Sequence, residues 1–248
     1  DVAVTGVQTC ALPICFLHAI KSNIKSANKI ICFDEKTKKD INEKLNTPEE
    51  KISIVNWFFW KNKNPTSKVD VKTKHQIIWD YVIYDNFIWV NKNIKRFLES
   101  IKEINKEQKL SVIFIWNEIA EDIETRQLTL DLQIEKNIIF AWNIQESELW
   151  LYYENALWVV YPAIYESFPK NLSNAVFFNT PIIAADSENI KNIFWWEISY
   201  FSPLSTDDMT QKLKIFTKER KSVNYENIKN KFNAEIFFKN LLALSTKN

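Results

Sequence analysis

Glycine is almost missing from this chain, with 1 in 248 residues. At the usual share of about 7%, roughly 17 would be expected. Only glycine takes positive φ without steric cost, so tight strand-to-helix turns are hard to build without it. Tryptophan stands in the opposite excess, at 10 residues. Several tryptophans fall where turns belong: Trp79 after Ile77-Ile78, Trp116 after Val112 to Ile115, Trp142 after Ile138 to Ala141, and the pair Trp195-Trp196. The first three read as strand ends. We read the exchange as UGA codons for glycine rendered as tryptophan. The alternative is a truly tryptophan-rich protein whose large apolar side chains collect at turns.

Other scarcities exclude whole classes of function. The 3 cysteines, Cys10, Cys15 and Cys32, show no metal-ligand spacing and suit a reducing compartment. The 2 histidines, His18 and His75, stand apart and carry no metal or catalytic assignment. A net charge of +1 argues against nucleic acid as a partner held by bulk electrostatics. No apolar run approaches a membrane span. There is no Ser/His/Asp triad, no Walker loop and no internal repeat. The stretch VTGVQTCALPI, Val4 to Ile14, resembles a translated sequencing-library adapter. It is too short and polar for a signal peptide. It is set aside from the fold, and it implies a truncated gene. What remains is long enough for one full domain and a fragment of another.

In order, Phe16 to Asn28 reads as a helix and Ile30 to Phe33 as a buried strand. Asp34 caps a charged helix, Glu35 to Leu45, ended by Asn46-Thr47-Pro48. Ile52 to Val55 is a strand, and Lys61 to Lys74 a polar linker. Gln76 to Ile78 reads as the first strand of the second domain, with a long loop, Trp79 to Lys92, before the helix Asn93 to Ile104. Strands at Leu110 to Ile115 and Asn137 to Ala141 flank a helix, Glu121 to Leu132. Beyond residue 186 come a helix at Ile190 to Phe194, a strand at Ile198 to Phe201, and helices at Thr206 to Lys218 and Tyr225 to Leu244.

The organising stretch runs from Glu148 to Asp186. A helix, Leu149 to Ala156, leads into the apolar strand Val159 to Tyr161, and Pro162 opens a loop carrying Glu166. Asn171 to Phe178 is a helix stopped by Asn179-Thr180-Pro181, and Ile182 to Ala185 is a second buried strand. Strand, acidic loop, helix, strand is half of a doubly wound sheet, where ligands bind beyond the carboxyl ends of the strands. Asn155-Ala156, Pro162, Tyr165-Glu166-Ser167-Phe168, Ala175 and Thr180-Pro181-Ile182-Ile183-Ala184 resemble, in order and spacing, the donor-sugar signature of the retaining GT-B glycosyltransferases. The likeness is to their large family 4 group, with its Glycos_transf_1 domain. Ser53 to Trp57 resembles that family's interdomain linker, with Val55 for the usual proline and Trp57 for glycine.

The resemblance implies an α/β fold: a Rossmann-like, doubly wound parallel sheet forming the C-terminal half of a GT-B fold. Residues 15–60 would end an N-terminal acceptor domain, 61–224 would bind a nucleotide sugar, and 225–248 would cross back as a helix. That crossing helix would leave Ile236, Phe237, Leu241 and Leu242 partly exposed. The implied activity is transfer of a sugar from a nucleotide sugar to a glycan, lipid or other acceptor in cell-envelope polysaccharide synthesis. The acceptor itself is unknown from sequence, and this fragment is expected to be inactive alone. No metal and no other cofactor are expected, because backbone N–H groups and basic side chains commonly neutralise the leaving diphosphate in such sites. Localisation would be cytoplasmic, with peripheral membrane association through the N-terminal domain. A noncatalytic nucleotide-sugar-binding protein and a GT-B nucleotide-sugar epimerase remain the alternatives.

By the same resemblance Glu166 takes the first acidic position of a "Glu, seven residues, Glu" motif and faces the donor sugar; otherwise it is a solvated loop carboxylate. The second position is Asn174, which can accept hydrogen bonds, as from a ribose, but without charge. Its other reading is a helix-surface residue. Lys92, before Asn93, resembles a lysine that reaches the donor phosphates, and Lys170 is a second candidate; both could be plain surface lysines. Asp80 stands where the family usually has arginine. Ser167 and Phe168 of the acidic loop would contribute to donor binding. Trp142, Asn143 and Ile144 resemble the loop whose backbone contacts the base, or are a simple strand-end turn.

Overall fold

The computed structural model describes residues 2–4, 13–59, 69–85, 92–116, 123–142, 144–219 and 221–245. The chain divides into two compact units, Asp1–Phe58 with Lys231–Asn248, and Phe59–Asn230.

The first unit contains a three-stranded parallel sheet in the order β1 (Val2–Val4), β2 (Lys29–Cys32), β3 (Ile52–Ile54), with helices α1 (Pro13–Ser26) and α2 (Glu35–Leu45). The segment set aside as adapter-like is therefore not wholly outside the fold, since Val4 pairs in register with Ile31. Helix α2 begins as its sequence dictates. Asp34 is extended and its carboxylate accepts from the Thr37 N–H at 2.8 Å, a cap worth about 1 kcal/mol. Asn46 ends it in the left-handed region, at φ 49°.

The second unit is the larger. Its elements are α3 (Val71–Lys74), β4 (Asp80–Tyr84), α4 (Ile94–Asn105), β5 (Leu110–Trp116), α5 (Ile123–Asp131), β6 (Ile138–Trp142), α6 (Glu146–Glu154), β7 (Val159–Tyr161), α7 (Ser173–Phe178), β8 (Ile182–Ala185), α8 (Glu188–Phe194), β9 (Ser199–Phe201) and α9 (Thr206–Glu219). All six strands are parallel, in the order β6-β5-β4-β7-β8-β9. Successive strands first step one way from β4, then return to its other side with β7. The reversal point thus lies between β4 and β7, where doubly wound sheets open their ligand crevice.

The core follows from patterning. Tyr81, Val82, Ile83 and Tyr84 are fully buried, as a central strand covered on both faces requires. Helix α4 presents Phe97, Leu98, Ile101 and Ile104 to the sheet, at the spacing of one helical face. They pack with Val82, Val112, Val160 and Ile183 and with Leu213 of α9.

Several expectations are corrected. The first strand of this unit is Asp80–Tyr84, not Gln76 to Ile78, so Trp79 precedes a strand rather than ending one. Gln76 is instead left-handed, at φ 53°, just after α3. Asp80 opens the strand and pairs with Lys72 at 3.0 Å. The connection from β4 to α4 therefore starts at Asp85 rather than at Trp79, and is shorter than the expected loop. Not all tryptophans lie at turns. Trp150 is inside α6, and Trp158 is buried in the core with its indole N–H donating to Thr217 Oγ1 at 3.2 Å. Trp195 does fit the glycine reading, because its φ of 48° and ψ of −118° form a backbone state that side chains with a Cβ avoid.

The expected single helix Tyr225 to Leu244 is two, α10 (Glu226–Lys231) and α11 (Ala234–Ser245). Asn233 caps the second, its side-chain oxygen accepting from the Ile236 N–H at 2.9 Å. Helix α11 belongs to the first unit. Phe237 is buried against Trp57 and Phe58, with ring centroids 5.0 and 5.2 Å away, while Ile236 and Leu242 are exposed.

Candidate functional site

The site is built at the carboxyl ends of β4 and β7. Beyond β7 the chain turns at Pro162 into the loop carrying Tyr165, Glu166, Ser167 and Phe168. Asn189 of α8 donates from Nδ2 to the Glu166 carbonyl at 3.0 Å. Phe168 is buried against Phe59, ring centroids 4.9 Å apart. These two contacts tie down the loop at Glu166 and at Phe168.

Beyond β4 the chain returns at Lys92, just before α4. Asn93 holds the entry to that helix in the left-handed region, at φ 57°. Its Nδ2 donates to the Pro203 carbonyl at 2.7 Å, and its Oδ1 accepts from Arg96 at 3.1 Å. The Tyr84 hydroxyl donates to the Lys92 carbonyl at 3.4 Å. Lys92 is therefore buried and directed, which excludes its reading as a plain surface lysine.

Lys92 Nζ forms an ion pair with Glu166 Oε2. The same carboxylate oxygen accepts from the Tyr161 hydroxyl at 3.1 Å. Two of the residues singled out by sequence are thus joined across the reversal point of the sheet, 74 positions apart. The Lys92 side chain is 9% exposed and that of Glu166 is 29% exposed, so the carboxylate is the member open to a ligand.

A second polar cluster adjoins the first. Tyr153 of α6 donates its hydroxyl to Asp85 Oδ2, at the end of β4. Burial pushes the Asp85 carboxyl up to about 7, against the opposing pull of that hydrogen bond. The Asn174 side chain acts in the lowering sense on the Tyr153 phenol. Burial holds the Tyr153 and Tyr161 phenols well above their ordinary range, reinforced by the charges of Asp85 and Glu166 respectively. Asp85 also acts on Tyr161, which ties the two clusters together.

The other expected residues scatter. Ser167 is half-buried beside Glu166, and Asn174 lies half-buried on α7. Lys170 opens the 3-10 turn Lys170–Leu172 with an exposed side chain. Trp142 ends β6 in register with Trp116 of β5, and half-buried Ile144 follows two positions later. Asn143 lies outside the described residues. Asp85, Tyr153, Tyr161 and Asn189 belong to the site without having been singled out. An acidic residue directly after an apolar strand was the available signal for Asp85; the others are given only by tertiary packing. Among the described residues, no group of three or more His, Cys, Asp or Glu side chains could hold a metal ion.

Comparisons with known proteins agree with this architecture. Residues 80–232 match the family described as glycosyl transferases group 1. The O-antigen chain mannosyltransferase RfbU of Salmonella typhimurium is 25% identical over 171 residues, which are 69% of this chain and 46% of that protein. The chain therefore spans about half the length of this curated relative. Among solved structures, a sucrose-phosphate synthase of Thermosynechococcus elongatus superposes with a TM-score of 0.77 at 14% identity, covering 97% of this chain and 63% of that one. Anabaena HepE in complex with UDP and glucose does so with a TM-score of 0.69 at 12% identity, covering 93% and 66%. The family match takes in more than half of the chain, from the first strand of the larger unit to just past α10, and with it every described residue of the site: this chain belongs to the glycosyl transferases group 1 family, enzymes with a GT-B fold.

Proposed function

We propose that the larger unit binds the nucleotide-sugar donor of a retaining sugar transfer, with Glu166 at the sugar and Lys92 at the diphosphate. The observation that carries this reading is the Lys92–Glu166 pair at the reversal point of the sheet. In the transfer, the anomeric C–O bond to the diphosphate breaks and its electron pair leaves on phosphate. The acceptor oxygen bonds the same carbon, and its proton passes to the departing phosphate oxygen. Charge therefore develops at two places, positive on the sugar ring and negative on the departing phosphate. A buried lysine next to a partly open carboxylate supplies one group of each sign, to face the developing charges of opposite sign. In the ligand-free arrangement the two neutralise one another, which limits the cost of holding either charge out of water.

The polysaccharide role of RfbU and the UDP bound to HepE support a nucleotide-diphosphate sugar as donor and an envelope glycan or lipid as acceptor. Binding of UDP, GDP and ADP by isothermal titration, followed by product analysis with the matching nucleotide sugars, tests the reading. Binding of one nucleoside diphosphate that Lys92→Met weakens at least about tenfold would support it. No binding to any of the three, with the fold intact, would remove it. A product with inverted anomeric configuration would leave the site but overturn the retaining assignment.

A further inference from the structure

Glu166 is held at both ends of its length. Its carbonyl accepts from Asn189 Nδ2 at 3.0 Å, and its Oε2 accepts from the Tyr161 hydroxyl at 3.1 Å. Lys92 Nζ pairs with that same oxygen. Among the described residues, both side-chain partners of the carboxylate thus end on Oε2, which leaves Oε1 to face a ligand. The two partners differ in what a ligand can do to them. An ammonium on a four-carbon stem carries three donors and can turn toward a second anion. The phenol has one proton to give, and it stands on a rigid base. Tyr161 ends β7 in register with Ala184 of β8 and is 1% exposed. Burial and the neighbouring charge of Glu166 keep its proton in place.

We infer that Tyr161 is a positioning residue: it holds Glu166 Oε2 in place, and so keeps Oε1 turned toward the donor sugar, while Lys92 shifts toward the diphosphate. The inference rests on the nucleotide-sugar reading of this site. In the ligand-free arrangement either partner alone could orient the carboxylate. Once a diphosphate competes for the ammonium, Lys92 serves two anions, and a carboxylate held by it alone could swing on its stem. The phenol brings no net charge, so an incoming phosphate has little hold on it. Its hydrogen bond to an ionised acceptor is of the stronger, charge-assisted kind. The lysine is thus the partner that can be shared, and the tyrosine is the partner that stays.

Tyr161→Phe removes the O–H and keeps the ring. The test is isothermal titration of wild type and variant with UDP, GDP and ADP, each beside its sugar conjugates: UDP-glucose, UDP-galactose, GDP-mannose and ADP-glucose. Tyr161→Phe should bind the nucleoside diphosphate within about twofold of wild type, because Lys92 is untouched. It should bind the matching nucleotide sugar about five- to tenfold more weakly, the cost of a carboxylate no longer aimed at the sugar. Added to Glu166→Ala, the same replacement should change nucleotide-sugar affinity by less than about twofold, since there is no carboxylate left to orient. A purely structural role for Tyr161 would weaken both ligands alike, with or without the Glu166 carboxylate. That result overturns the inference while leaving the nucleotide site standing. So does nucleotide-sugar binding that Tyr161→Phe leaves unchanged, or wild-type protein that binds a nucleoside diphosphate but none of the four conjugates. If Tyr161→Phe fails to fold, Tyr161→Met, which also lacks the donor, decides the question with the same ligand pairs. Wild-type protein that binds none of the three nucleoside diphosphates removes the donor-site reading and this inference with it.

Discussion

Lys92 and Glu166 meet across the gap between β4 and β7, each held there by backbone that other residues lock in place. Their pairing converts two distant stretches of sequence into one site. It also means that removing either side chain strands the other in a poorly solvated position.

Glu166→Gln should therefore lower the rate of donor turnover on the order of 10²-fold. Its far-ultraviolet circular dichroism should match wild type, because the amide still accepts from Tyr161. Lys92→Met should act mainly on the donor KM, raising it at least about tenfold through loss of a charge-assisted phosphate contact. An unchanged KM in Lys92→Met would assign Lys92 to holding Glu166 and nothing more.

Asp85 gives a stability signature with a definite sign. Its carboxyl titrates near 3.9 in an unfolded chain and near 7 when folded. The folded state thus binds the extra proton between those values. The stabilising contribution is complete below about pH 4 and is lost as pH rises to about 7. Denaturant midpoints of wild type minus those of Asp85→Asn should fall across that window. A difference that climbs with pH would show that the carboxyl is not desolvated as described.

Two tryptophans should respond oppositely to the same replacement. Trp195→Gly relieves a backbone state that costs about 1–3 kcal/mol for a residue with a Cβ, so the melting temperature should rise. Trp158→Gly empties a core position and breaks a hydrogen bond to Thr217; the loss should be about 3 kcal/mol or more. A TGA codon at position 195 in the underlying DNA would fit the glycine reading there, and TGG would dismiss it.

How much of this was legible without coordinates differs from element to element. Val159–Tyr161 and Ile182–Ala185 fall where the sequence places them, because Pro162 and Thr180-Pro181 punctuate two short apolar runs. The strand Asp80–Tyr84 is displaced from expectation for an equally local reason. Gln76-Ile77-Ile78 looks like the end of a strand if Trp79 is taken for a turn, and a strand buried on both faces has no alternation to correct the error. Glu166 and Lys92 were nameable only through their family resemblance, since nothing in either stretch encodes a partner 74 residues away. Tyr153 and Tyr161 look like ordinary helix and apolar-strand residues in sequence, and of the three only Asp85, an acidic residue directly after an apolar run, left a signal. Their roles arise from which hydroxyl reaches which carboxylate once the sheet is assembled.

Phe237→Ala should remove the ring that packs on Trp57 and Phe58, at a cost of about 3 kcal/mol or more to the smaller unit. The larger unit has its own core and should keep its melting transition. Differential scanning calorimetry would show one transition shifting down and the other fixed; a joint shift would mean that the two units unfold together.

Helix α11 also sets an order of assembly. The larger unit is one uninterrupted stretch, Phe59–Asn230, and every strand of its sheet is synthesised before α11. The smaller unit is split, its first residues waiting for the aromatic side chain at 237 and for the Leu244 carbonyl that accepts from Lys29 at 3.0 Å. During synthesis, the part that begins last in sequence can close first, while the part made first stays open until translation has passed residue 244. Trp57 and Phe58 thus lack their partner ring until α11 is made, and chaperone capture should be sought there.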